Sequence, residues 1–130
     1  MPTPNFVSKS MVLSIHARQI ESFGGTPGVR DEGLLESALA QPQATFGGQF
    51  LHPAISEQAA AYLYHIAMNH PFIDGNKRTA FAVTDTFLRL NGCTLNLTDD
   101  RAYDLVIRVA RGTMAKEELT TDFESCIFEF

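Results

Sequence analysis

The segment ISEQAAAYLYHIAMN, residues 55–69, constrains the architecture more than any other stretch of the chain. It is apolar nearly all round, so a helix made from it has no face to turn toward water and must be covered by other elements. Its most apolar part, AAAYLYHIAM (59–68), is too short to span a bilayer and contains a histidine, so a membrane role is not expected. A chain of 130 residues can supply the cover. At that size roughly two-thirds of the unfolded surface is buried, enough for one core without metal or disulfides.

The covering elements are also helical in pattern. VLSIHARQIESF (12–23) places Val12, Ile15, His16, Gln19, Ile20 and Phe23 near one face, and Gly24-Gly25 ends it. Asp31 is placed to cap EGLLESALA (32–40), which Pro42 stops. QATFGGQFLHP (43–53) surrounds a Gly-Gly with aromatics, the pattern of a small hairpin or flap. Lys77–Leu90 forms a second strong helix, with Ala80, Val83, Phe87 and Leu90 on one face and Asn91-Gly92 as its stop. CTLNL (93–97) is a short extended link, Thr98 or Asp99 caps a helix that Gly112 closes, and a last helix is expected from about Thr113 to Ile127. The expectation is a single all-α domain over residues 1–130, a compact helical bundle with a short flap before its central helix and a loose tail at 1–8.

Ten Lys+Arg against fifteen Asp+Glu leave a net charge of −5, which argues against direct nucleic-acid binding through bulk charge. Residues 70–111 run against the trend, with six basic and five acidic side chains, so an anion site is expected there. Cys93 and Cys126 have no metal-ligand spacing and read as buried or idle thiols in a reducing compartment. MPTPNFVSKS has neither the basic nor the apolar region of a signal peptide, so a cytoplasmic location is expected.

Between the two most apolar helices lies HPFIDGNKRTA (70–80). Lys77 and Arg78 open a helix at the positive end of its macrodipole, where an isolated helix prefers acids. Gly75 permits a turn that aims the first-turn N–H groups of Asn76 to Thr79 into one concavity, and such a nest at a helix N-terminus binds anions. An anion there, a polyphosphate being the natural candidate, makes the cations favourable; Arg78 can also grip two phosphate oxygens at once. Asp74 at the mouth suits Mg²⁺, which takes one or two carboxylates plus phosphate oxygens and water. His70 is an imidazole placed to accept a proton. Phe72 and Ile73 read as apolar pins. Taken singly, His70 is a helix-end residue, Asp74 a turn residue and Lys77-Arg78 a solvated pair. Together they point to group transfer from a nucleotide to a hydroxyl. His16, His52 and His65 have no such company, and Tyr62 and Tyr64 read as packing.

The loop resembles the signature of the Fic/Doc superfamily, H-x-F-x-(D/E)-(G/A)-N-(G/K)-R, matched by His70, Phe72, Asp74, Gly75, Asn76, Lys77 and Arg78. FGGTPGVRDEGLLESALAQP and NKRTAFAVTDTFLRLNG are similar to the death-on-curing (Doc) branch, so the resemblance spans residues 12 to about 124. It implies an all-α Fic fold and transfer of part of a nucleoside triphosphate, ATP, to a protein hydroxyl. His70 would deprotonate that hydroxyl, Asp74 would hold Mg²⁺, and Gly75–Arg78 would bind phosphates. The flap, roughly Thr45–His52, would dock the target. Doc proteins are toxins that phosphorylate a threonine of elongation factor Tu, a translation factor, and a small antitoxin protein neutralises them.

The motif mixes two branches. Pro71 and Gly75 are similar to AMP-transferring Fic enzymes, Lys77 to Doc, and Phe81 stands where those AMP-transferases carry a second arginine. The mixture favours phosphoryl over AMP transfer, with AMP transfer and a non-catalytic nucleotide- or partner-binding module as alternatives. Thr120 to Glu124, followed by Ser125, is the nearest approach to the Fic inhibitory signature (S/T)-x-x-x-E-(G/N) and reads as coincidence. Restraint would then come from a separate antitoxin seated in an exposed apolar groove.

Overall fold

The computed structural model describes residues 3–130. Six helices and two small antiparallel strand pairs follow in the order α1 (Lys9–Phe23), α2 (Glu32–Ala40), β1 (Thr45–Phe46), β2 (Gln49–Phe50), α3 (Ile55–Asn69), α4 (Asn76–Leu90), β3 (Cys93–Leu95), α5 (Asp99–Ala110), α6 (Lys116–Cys126) and β4 (Ile127–Glu129). The all-α expectation holds, and α3 is the hub.

Helix α3 packs against α2, α4, α5 and α6. Its buried residues include Ala59, Ala60, Ala61, Tyr62, Leu63, Ile66 and Ala67, which spread over more than half of the helix circumference. The small residues let neighbours approach closely, and the large ones fill the space between them. Tyr62 is fully buried and accepts a hydrogen bond from the Val7 N–H at 2.9 Å; burial pushes its hydroxyl up to about 12.

Local chemistry sets the element ends. Ser8, Asp31 and Thr98 cap α1, α2 and α5 by accepting from the N–H groups of Met11, Leu34 and Arg101. Glu57 and Glu118 reach back to the N–H groups of Ala54 and Ala115, each at 3.1 Å, and satisfy the starts of α3 and α6. The flap is a hairpin whose strands are two residues long, Thr45 facing Phe50 and Phe46 facing Gln49. Buried Gln58 holds its far end to α3 by donating to the His52 carbonyl at 2.8 Å.

Two expectations need correction, and the extended link at 93–97 is sharpened. Residues 5–7 of the supposed loose tail are docked: Asn5 bonds Asn91, Phe6 stacks on Phe87 at 5.9 Å, and Val7 is buried. Residues 1–2 lie outside the described residues. The last helix is shorter than 113–127, because Ile127 turns extended and starts β4. The link CTLNL is in part a strand, β3, pairing antiparallel with β4 from Cys93↔Glu129 to Leu95↔Ile127. Both cysteines are free and buried. No helix among the described residues is long and apolar enough to cross a membrane.

Candidate active site

The loop between α3 and α4 is shaped mainly by a second segment, the glycine-rich connection from Gly24 to Asp31 between α1 and α2. Val29 and Phe72 form an isolated antiparallel bridge, with Ile73 N–H donating to the Gly28 carbonyl at 3.0 Å. The Pro71 carbonyl accepts from the N–H groups of Arg30 and Asp31 at 2.7 and 3.1 Å. In extended backbone neighbouring side chains face opposite ways. Phe72 is therefore fully buried, whereas Ile73, expected as a second pin, is 53% exposed.

Phe72 is fixed on all sides. Asn76 Oδ1 accepts from its N–H at 2.9 Å, and Asn76 Nδ2 donates to its carbonyl at 3.0 Å. The Asn76 side chain is thus committed to the loop, and its backbone N–H is what it can offer a ligand. Phe72 stacks on the His16 ring, centroids 3.8 Å apart and planes 7° apart. His16 Nε2 donates to the Asp74 carbonyl at 2.8 Å. By sequence His16 lies near one face of the first helix with no catalytic company. Its one visible signal was a polar side chain on the inward stripe of α1, which in a core demands a partner.

His70 closes α3 in the left-handed conformation, φ 47° and ψ 55°, the one positive-φ residue other than glycine among the described residues. Its side chain is exposed. Arg30 Nε donates to its carbonyl at 2.7 Å, and Arg30 Nη2 donates to the Asn69 carbonyl at 2.9 Å.

Asp74 is exposed, and its carboxylate takes one backbone N–H on each oxygen, Thr26 at 3.2 Å and Gly75 at 2.9 Å. These two bonds, with smaller help from the nearby Arg78 charge, hold its carboxyl below the usual carboxylate range. Gly75 turns the chain with φ 73° to start α4, and no side chain caps that helix. Its first N–H groups are therefore available, as an anion site needs.

The two cations part company. Arg78 Nη2 donates to the Gly24 carbonyl at 2.9 Å, at the carboxyl end of α1, and its guanidinium lies 5.3 Å from the centre of the Phe23 ring. The negative end of α1 thus offsets the unfavourable position of Arg78 on α4. Lys77 is exposed at the same rim. Beside them runs a groove of about 550 Å³ between α1, α4 and α5, with Phe23, Phe81, Tyr103, Val106 and Ile107 in its walls.

The donor set fits Mg²⁺. Asp74 is ionised and exposed, and each of its oxygens keeps a lone pair beyond its one N–H. One carboxylate leaves the other positions to phosphate oxygens and water, the usual arrangement for Mg²⁺ beside a nucleotide.

The family model described as Fic/DOC family matches residues 6–88. "Toxin Doc" of Mycolicibacterium smegmatis is 50% identical over 91 residues, 68% of this chain and 70% of that protein. "Protein kinase doc" of Escherichia phage P1 is 32% identical over 109 residues, 84% of this chain and 85% of that protein.

Proposed function

This chain belongs to the Fic/DOC family, and from that premise we propose that it is a Doc-like toxin of a toxin–antitoxin pair. It is a transferase that moves the γ-phosphoryl group of ATP to a hydroxyl of a protein, elongation factor Tu, and so arrests translation. The observation that carries the reading is the pairing of ionised Asp74 with the side-chain-uncapped N-terminus of α4, on the loop that opens with the exposed His70. A phosphate chain needs the first two, and an incoming hydroxyl needs the third.

The N–H groups that open α4 and the Lys77 ammonium hold the phosphates, with the Arg78 donors not engaged by Gly24. Asp74 would hold Mg²⁺, which when bound offsets phosphate charge. The acceptor hydroxyl gives its proton to His70 as its oxygen bonds to the γ-phosphorus. The bond from that phosphorus to the bridging oxygen breaks, and ADP leaves with the electron pair. A target segment would dock on the flap of β1 and β2, where Phe46, beside the Gly47-Gly48 turn, is 80% exposed.

Lys77 and Phe81 support phosphoryl over AMP transfer. Phe81 presents an aromatic ring to the groove where a second guanidinium would hold the triphosphate in another register. The same groove is the apolar surface that suits the antitoxin. A segment seated there would also cover Lys77 and Arg78, which share its lining. The test is incubation with γ-labelled and, separately, α-labelled ATP in cell lysate. Label entering a protein from the γ position alone is the expected result; label from the α position alone would replace the kinase reading with AMP transfer.

A further inference from the structure

We propose that Arg30 is a positioning residue for His70, gripping the last carbonyls of α3 so that the imidazole is presented from a left-handed turn. The inference rests on His70 acting as the base.

Residue 70 is under unusual constraint. Pro71 disfavours the right-handed helical region for the residue before it, so α3 cannot simply continue. The left-handed region is uncommon for residues other than glycine, although Asn, Asp and His enter it more readily than most, so a histidine fits this turn better than a branched or bulky residue would. His70 is held there at φ 47° while its own N–H still closes the helix onto the Ile66 carbonyl at 3.3 Å. The Asn69 and His70 carbonyls lie at the negative end of α3, where a cation is favoured. Arg30 answers both with one planar fork, Nε to His70 at 2.7 Å and Nη2 to Asn69 at 2.9 Å. Without the fork, residue 70 can relax to the extended region that Pro71 permits, which re-aims its side chain.

The geometry separates this role from general folding. Pro71 and Phe72 are tied to the α1–α2 connection through backbone groups, which a change of the Arg30 side chain leaves intact. The phosphate end of the loop is held elsewhere, by His16, Thr26 and Gly24. Loss of Arg30 should therefore slow transfer without weakening nucleotide binding.

The test compares wild type, Arg30→Gln, Arg30→Lys and His70→Ala for three quantities. These are turnover with γ-labelled ATP in lysate, the Kd for MgATP by calorimetry, and the backbone conformation of residue 70 by NMR couplings. Arg30→Gln is expected to lower turnover at saturating ATP by about tenfold or more, as misplacement of a reacting group does. Its Kd should stay within about twofold, the signature of a change confined to the chemical step. Residue 70 should lose its left-handed coupling. Arg30→Lys, which keeps the charge and a donor nitrogen but not the planar fork, should recover part of the rate. Wild-type turnover in Arg30→Gln, or a Kd that worsens in step with turnover, would overturn the inference. Full turnover in His70→Ala would instead remove the base reading, whatever the Arg30 variants do.

Discussion

His16 donates from Nε2 to the carbonyl oxygen of Asp74 at 2.8 Å while its ring lies flat against Phe72. One buried side chain on α1 therefore holds both the anchor and the acid of a loop nearly sixty residues away. His16→Phe keeps the stacking and removes the donor. Chemical unfolding of that variant should show a loss of about 1 kcal/mol, the usual net contribution of one intramolecular hydrogen bond. MgATP affinity should weaken with it. Unchanged stability and affinity would mean the bond holds nothing in place.

Gly25 passes close beneath Asp74. A Cβ at Gly25 would stand 2.8 Å from Asp74 Oδ2, and its φ of 119° already disfavours any other residue. Gly25→Ala is expected to displace the carboxylate and to cost about 1–3 kcal/mol through backbone strain. Mg²⁺-dependent nucleotide binding, followed by calorimetry at several Mg²⁺ concentrations, should fall sharply.

Asp74→Asn preserves size and one acceptor but removes the charge. Because the group is exposed, the fold should tolerate the change, with a melting temperature close to wild type. ATP binding should lose its response to Mg²⁺ and phosphoryl transfer should stop. A variant that still binds ATP more tightly when Mg²⁺ is added would move the metal away from this carboxylate.

The helices were legible because their signals are local. Asp31 and Pro42 bracket α2, and α3 runs over the same Ile55–Asn69 span that its all-round apolarity marks out. The motif loop stood out because its charges contradict the helix they begin. What stayed hidden depends on distant partners. His16 looks like any inward polar residue until Asp74 and Phe72 arrive. Arg30 sits in a turn-like run whose target is the end of another helix. The strand Ile127–Glu129 is three residues long, too short to show alternation, and exists through its pairing with Cys93–Leu95. The helical pattern of α6 masks it.

His65 supplies a pH dependence away from the loop. Burial first, then Lys116 and His52, push it down to about 4 from 6.5, and its Nε2 lies 3.1 Å from Lys116 Nζ. The folded state favours the neutral ring, so between those values the unfolded chain binds more protons and stability rises with pH. The contribution is complete above 6.5 and is lost as pH falls toward 4. It amounts to something on the order of 2 kcal/mol once its partial exposure is discounted. Urea titrations across that range should show a shallower slope for His65→Gln than for wild type.

The clasp between the Gly24–Asp31 connection and the loop has a consequence for engineering. The nine residues from His70 to Arg78 are not a portable cassette, because much of what dictates their shape is written on a stretch encoded some forty residues upstream. Transplanting them onto another helix pair would carry over the reactive groups but leave the mould behind. A functional graft would have to bring two discontinuous pieces at once, with α1 and α2 as the rods that keep them facing each other.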